Sequence, residues 1–210
     1  IVTAPQSAGV NGGIAPILAS TLILLAIALV AAVPIGLATA IFLAEITRQG
    51  GALGRFVRIS LDILAGVPSI VFGLFGNAFF AIYLGLGFSL LSGGLTLACM
   101  VLPLFIRASE ESFRAVPDSY RQAAAALGIS RTAAIRRILV PVAMPGILVG
   151  LVLGIGRALA ETAALIFTSG YVDRMPESLL DSGRALSIHL YDLAMNVPGG
   201  DANAHASTLV

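Results

Sequence analysis

Tyr120-Arg-Gln-Ala-Ala-Ala-Ala-Leu-Gly128, followed ten residues later by Ile138-Leu-Val-Pro141, is the stretch on which the reading of this chain turns. It lies in an Arg- and Ala-rich polar island, Arg107 to Pro141, between segments apolar enough to span a bilayer. Pro117 and Asp118-Ser119 open a short helix, and Ser119 with Gln122 three residues on fits a capping box. Ala123 to Ala126 are strong helix formers with almost no side chain. Gly128 ends this helix, because a left-handed residue costs glycine little. Ser130 caps a second helix, Arg131 to Val140, which Pro141 stops. Two short helices at an angle, one faced with Ala and both edged with Arg, suit a groove on a partner protein. The same basic loop also suits anionic lipid headgroups.

Outward from the island the chain is that of an integral membrane protein. Of 210 residues, 58% are hydrophobic and only 11% charged, too little polar surface for a soluble domain. The lone Cys99 sits in an apolar run and reads as a packed thiol, with neither a disulfide nor a metal site signalled. Residues 1–13 read as an external linker. Apolar runs cover about 14–46, 59–85, 90–106 and 142–170, and each is set against the roughly 20 residues a bilayer needs. The first is long enough to protrude or to kink at Pro34, and it is too long, with no basic region before it, for a signal peptide. The polar segment 171–206 follows, and a further span starts at 207–210. The chain opens on Ile1 and stops as this last run begins, which reads as a piece of a longer chain.

Loop charge sets the expected topology. Every basic residue is Arg. Arg48, Arg55 and Arg58 occupy the first loop; Arg107, Arg114, Arg121, Arg131, Arg136 and Arg137 occupy the third. The short second loop has no charge, and 171–206 has more acids than Arg. Basic loops stay cytoplasmic, so the first and third loops are placed inside and the N-terminus outside. Asp62, four residues after Arg58, is expected to form an interfacial ion pair with it. Glu45 sits at the same interface with no role assigned. His189 and His205 read as surface imidazoles.

Two charges fall inside the fourth run. Arg157 and Glu161 stand four apart in Gly154-Ile-Gly-Arg-Ala-Leu-Ala-Glu-Thr-Ala-Ala164, which on a continuous helix is one face. Either charge in lipid costs about 2.5–3.5 kcal/mol on insertion scales, so both should point into a bundle or a wet pathway. A structural ion pair satisfies that requirement. So does an anion path, in which the planar Arg157 guanidinium donates paired hydrogen bonds to an oxyanion and Glu161 orients it. Thr162, Thr168 and Ser169 offer hydroxyls to such a path, or pack as ordinary helix residues. Pro68 frees a backbone carbonyl beside Ser69, either as a plain kink or as a pathway lining.

The island resembles the coupling loop of ABC-importer permeases. The family pattern is Glu-Ala-Ala, three residues, Gly, nine residues, Ile, one residue, Leu-Pro. This chain has Gln122-Ala123-Ala124, Gly128, Ile138 and Val140-Pro141, with Gln122 in place of the Glu and Val140 in place of the Leu. The segment Arg157-Ala-Leu-Ala-Glu161-Thr162-Ala163 is similar to the Arg-Ala-x-Gly-Glu-Thr-Ala signature of phosphate-importer permeases of the PstA type, Ala160 replacing the Gly. Gly66-Val-Pro-Ser-Ile-Val-Phe-Gly-Leu-Phe-Gly76, Gly94 to Pro103, Glu110-Glu111 and Val116-Pro117 extend the likeness along nearly the whole chain.

The resemblance implies an all-α polytopic bundle of the type I ABC importer permease fold, in the inner membrane of a prokaryote. It implies phosphate import by alternating access, with Arg157, Glu161, Thr162, Pro68 and Ser69 on the substrate pathway. Gln122, Ala123, Ala124, Gly128, Ile138 and Pro141 would form the loop gripped by a cytoplasmic ATPase dimer, which binds the ATP and Mg. A second permease subunit and an external phosphate-binding protein are also implied, with a missing helix before residue 1. Tyr171, Met175 and Tyr191 are the candidate contacts to that binding protein.

This subunit itself is not expected to be an enzyme or to hold a cofactor, since it has no Gly-Lys-[Ser/Thr] phosphate loop. Two other functions fit the residues: a permease for molybdate or sulfate, and a docking or sensing subunit without its own path. An intramembrane enzyme lacks support, because the spans contain no His, nucleophile elbow or metal-ligand pair.

Overall fold

A computed structural model of the chain describes residues 5–6, 11–12, 14–47 and 51–196. The expectations for Arg48, His205 and the span at 207–210 lie outside the described residues, as does most of the 1–13 linker. Within that linker, β1 (Pro5–Gln6) pairs antiparallel with β2 (Asn11–Gly12). Among the described residues all other regular structure is helical: α1 (Ala15–Ile41), α2 (Ala52–Ala65), α3 (Ser69–Gly76), α4 (Leu90–Arg114), α5 (Asp118–Ala126), α6 (Arg131–Ala134), α7 (Val140–Leu159), α8 (Ala163–Ile166) and α9 (Leu186–Met195). Wider π turns extend α1 over Phe42–Ile46, extend α3 over Asn77–Tyr83, and join α6 to α7 over Ile135–Leu139.

Among the described residues, three helices are long and apolar enough to cross a membrane: Ala15–Ile46, Leu90–Arg114 and Arg131–Leu159. At 1.5 Å per residue the first is about 48 Å long and overshoots a hydrocarbon core of roughly 30 Å. Pro34 does not interrupt it.

Three expected boundaries move. The run over 59–85 is not one helix. It breaks at Gly66–Pro68 into α2, which carries Arg55, Arg58 and Asp62, and the wholly uncharged α3. The run over 90–106 continues as helix to Arg114, because the ions on its last turns find partners. Pro141 does not stop the helix that begins at Arg131. The preceding π turn bonds Val140 N–H to Ile135 O, which reroutes the backbone bonds that a proline would otherwise break.

The chain divides into two compact units. One takes its described residues from Ile1–Ala31, Val67–Met100 and Gly156–Val210. Its core holds Ile17, Leu24, Leu90, Leu97, Leu165, Ile188 and Leu193. Gly73 lets α3 lie on the backbone of α8, where a Cβ at that position would stand 2.8 Å from Ala164 Cα. Asn77 Nδ2 donates to Phe167 O at 2.7 Å and fixes the same pair.

The other unit is Ala32–Gly66 with Val101–Ile155. Leu43, Leu61 and Ile106 form its apolar centre. On α7, Gly146, Gly150 and Gly154 make a stripe at four-residue spacing against Ser112, Ala108 and Val101 of α4. Such small-residue stripes let membrane helices approach closely.

Candidate functional site

Arg157 and Glu161 do not share a helix face. α7 ends at Leu159, and the chain turns through Ala160–Thr162 into α8. The Glu161 N–H bonds back only three residues, to Ala158 O at 3.3 Å, the tightened turn of a helix end. The Glu161 carboxylate is buried, and its Oε1 accepts the Ala164 N–H at 3.1 Å, capping α8. Its carbonyl accepts the Ser187 hydroxyl at 2.6 Å. Glu161 is therefore a fixed strut between α7, α8 and the first turn of α9.

Arg157 is different. It is exposed in the last turn of α7 and makes no ion pair with any described residue. A structural ion pair between Arg157 and Glu161 is therefore not formed. A planar guanidinium with five N–H donors is left unengaged by the described residues.

The supporting hydroxyls divide. Thr168 Oγ1 donates to Ala164 O at 2.9 Å and Ser169 Oγ to Leu165 O at 3.1 Å, so both are buried helix-packing hydroxyls. Thr162 is half-buried at the turn after Glu161. Pro68 caps α3 and Ser69 starts it, with Pro68 O accepting the Val71 N–H. Through the α3–α8 packing, Pro68 and Ser69 belong to the same unit as Arg157 and Glu161.

In the island, α5 runs Asp118–Ala126 and Gly128 adopts φ +66°, the left-handed residue the sequence requires. Gln122 and Ala123 are exposed and Ala124 is buried. Ile138 is half-buried in the π turn, and Pro141 is exposed on α7. The capping box is not made. Pro117 occupies the cap position and Ser119 lies inside the first turn, where its hydroxyl is out of register. Ser130 does cap α6 by position, without a side-chain bond.

Arg121 is the residue that spacing alone did not single out. Its Nη2 sits 2.6 Å from Glu45 Oε1, and its Nε lies 3.3 Å from both Glu45 oxygens. Nη2 also donates to Phe113 O and Nη1 to Val116 O, each at 2.8 Å. The Glu45 hydrogen bond raises the Arg121 pKa above its already high value. A second network lies nearby in the same unit. Buried Glu110 accepts from Arg58 Nε at 2.8 Å and from Arg114 Nη2 at 3.0 Å. The expected Arg58–Asp62 pair is absent: Arg58 turns to Glu110, and Asp62 pairs with Arg107.

The segment after α8 is ordered by its own ions. Asp181 Oδ2 accepts the N–H groups of Glu177 and Ser178 at 2.8 and 2.9 Å, which hold its carboxyl below the usual range. Tyr171, Met175 and Tyr191 are exposed, as a contact surface needs. His189 is not a surface imidazole. It is 1% exposed, with Nδ1 3.4 Å from Arg184 Nη1, while Arg184 Nη2 pairs with Asp192 at 2.7 Å.

Burial first, then Arg184, lowers the His189 pKa below 6.5, against the opposing pull of Asp192 and Asp173. A depressed folded pKa means that the unfolded segment takes up a proton near pH 6.5 and the folded one does not. Stability here is full above pH 6.5 and declines as pH falls from there toward the folded pKa. Amide exchange over Leu186–Met195, corrected for intrinsic rates, is expected to be faster at about pH 5.5 than at about pH 7.5, and His189→Gln is expected to remove the difference.

Residues 32–196 match the family described as binding-protein-dependent transport system inner membrane component. The chain belongs to that family. Its members are multi-pass membrane subunits of transport systems, not the catalytic ones. The phosphate transport system permease protein PstA 1 of Mycobacterium tuberculosis (strain CDC 1551 / Oshkosh) is 42% identical over 160 residues, which are 76% of this chain and 52% of that protein. PstA of Xylella fastidiosa (strain Temecula1) is 39% identical over 76% of this chain and 55% of its own length. The probable ABC transporter permease protein YqgI of Bacillus subtilis (strain 168) is 29% identical over 100% of this chain and 76% of that protein. The chain thus spans about half the length of the PstA relatives it matches. Its fold is that of a chain in the inward-facing MetNI methionine ABC transporter, with a TM-score of 0.67 over 92% of this chain and 86% of that one at 19% identity.

Proposed function

We propose that this chain is a permease subunit of an ATP-driven importer that carries inorganic phosphate across the cytoplasmic membrane by alternating access. The observation that carries the reading is Arg157, a guanidinium at the end of an apolar helix with no anion of its own chain to neutralise it among the described residues. A phosphate oxyanion matches its paired donors in geometry and charge. The PstA relatives, similar across three quarters of the chain, favour phosphate over molybdate or sulfate. An unengaged intramembrane Arg favours a transport path over a docking or sensing role, since a scaffold has no use for its desolvation cost.

In this reading the island 107–141 faces the cytoplasm. Gln122, Ala123, Ala124, Gly128, Ile138 and Pro141 present the coupling surface to an ATPase dimer, which holds the ATP and Mg. A second permease subunit completes the path, and an external phosphate-binding protein delivers the ion to the exposed Tyr171, Met175 and Tyr191. Lipid surrounds the apolar helices. Arg157 binds the ion, Glu161 holds the turn that presents Arg157, and Thr162, Pro68 and Ser69 line its surroundings. The subunit moves the ion and leaves hydrolysis to its partner.

The test is uptake of labelled phosphate by vesicles containing the transporter assembled with this chain. Uptake is expected to need ATP inside and binding protein outside. About a tenfold excess of sulfate or molybdate is expected to compete weakly, since a site built to hydrogen-bond its ligand discriminates by far more than that. Competition as strong as that of unlabelled phosphate would assign a general oxyanion permease instead.

A further inference from the structure

We propose that the Glu45–Arg121 ion pair is the strut that passes movement of the 107–141 loop to the end of the first long helix. This rests on the reading of that loop as the segment an ATPase grips. Sequence alone places the two residues 76 positions apart, and the structure joins them through three nitrogen–oxygen contacts.

One guanidinium here connects three elements. Glu45 stands in the π turn that closes α1, with its side chain 7% exposed. Phe113 supplies a carbonyl from the last turn of α4, which also takes the Val116 N–H at 3.3 Å, and Val116 supplies one from the residues after the helix. Arg121 itself lies on α5, and Asp118 of the first turn accepts a further bond from it at 3.1 Å. Each guanidinium nitrogen therefore has an acceptor, and the planar fork resists rotation about any single bond. A lysine ammonium meets fewer of these acceptors at once.

The direction of force follows from burial. Gln122 and Ala123 on α5 are exposed to a partner, whereas Glu45 is buried at the opposite end of the link. A displacement imposed on the exposed face of α5 reaches Glu45 through a rigid ion pair rather than through yielding solvent. The position matters because residue 122, where the family pattern has a Glu, is an uncharged Gln. At α5 the ionic link into the membrane helices is carried by Arg121.

The experiment uses the assembled transporter in vesicles, with spin labels at exposed Ile35 and Leu127, and the variants Glu45→Ala, Arg121→Ala, Arg121→Lys and the double Ala. Glu45→Ala is expected to lower phosphate uptake per ATP hydrolysed about tenfold, a coupling loss within the range of residues that link distant sites. The ATP-driven change in label separation should shrink in parallel. The double Ala variant should be no worse than Arg121→Ala, and Arg121→Lys should fall between wild type and Ala.

Uptake and hydrolysis that fall together, or an unchanged label response in Glu45→Ala, would overturn the strut. Additive losses in the double variant would overturn it too. A wild type that shows the ATP-driven label response but no phosphate uptake would overturn the phosphate reading and leave the strut supported by the variants' label response.

Discussion

Arg157→Gln is expected to lower phosphate uptake about ten- to hundredfold, the loss of a charge-assisted hydrogen-bonding group worth roughly 1.5–3 kcal/mol. The glutamine is shorter but still polar, and it removes the charge and the fork. Because Arg157 bonds to no side chain of the described residues, the substitution leaves no partner stranded, and the transporter should assemble normally. The loss should show mainly as weaker binding and slower passage of the ion, with hydrolysis persisting.

Glu161→Gln makes the contrast. Glu161 caps α8 from a buried position, so its loss should reduce the thermal stability of the assembly before it changes ion affinity. A rival account of Arg157 is that it favours the negative end of the α7 dipole and reaches toward headgroups. In that case Arg157→Gln would keep wild-type uptake, and Arg157 would leave the pathway. Arg157→Lys sharpens the choice: a point charge serves the helix end as well as Arg does, but serves a forked oxyanion contact less well.

Much of the bundle is legible in the apolar runs, and Gly128 announces its left-handed turn by type and place. Reading fails where tertiary contacts outvote local pattern. Nothing in Leu159-Ala-Glu-Thr-Ala163 breaks a helix, and Ala160 is a strong helix former. The turn there is held by Ser187 and Ala164, and no spacing rule reports a bond between residues 161 and 187. The same holds for charges. Arg58 has Asp62 four residues away, yet it meets Glu110, because a buried carboxylate needs a partner more than an exposed one does. Asp62 is exposed and loses little by taking Arg107.

Hydropathy also averages across breaks. Residues 59–85 are apolar enough for one span, but Gly66-Val-Pro68 ends α2 and restarts the helix at Ser69. Pro141 errs the other way, since a π turn absorbs it. Glu45 carried a visible signal, a lone acid closing an apolar run, and the Arg-rich island offered its partner. Which Arg it takes is set by how α5 returns to the end of α4.

Gly73→Val is expected to destabilise the assembled protein by about 1–3 kcal/mol, the usual cost of overpacking, and to remove uptake with it. At Gly73 the obstacle is backbone: a Cβ would stand 2.8 Å from Ala164 Cα and 3.1 Å from Ala164 O, with the Phe167 ring at 3.2 Å. A side chain can rotate away, whereas the backbone of α8 cannot move without shifting Ala164, the residue whose N–H Glu161 caps. Pushing α3 off α8 also stretches the Asn77–Phe167 bond of 2.7 Å. The damage thus reaches the turn that presents Arg157, although residue 73 never touches it. Gly156→Ala is the control, because no heavy atom lies within 4 Å of the added Cβ there and Ala favours helix over Gly. Thermal unfolding of the two purified variants should separate them, Gly73→Val melting lower and Gly156→Ala at or above wild type. Equal melting would mean that α3 and α8 part freely, and the packing assigned to Gly73 would be wrong.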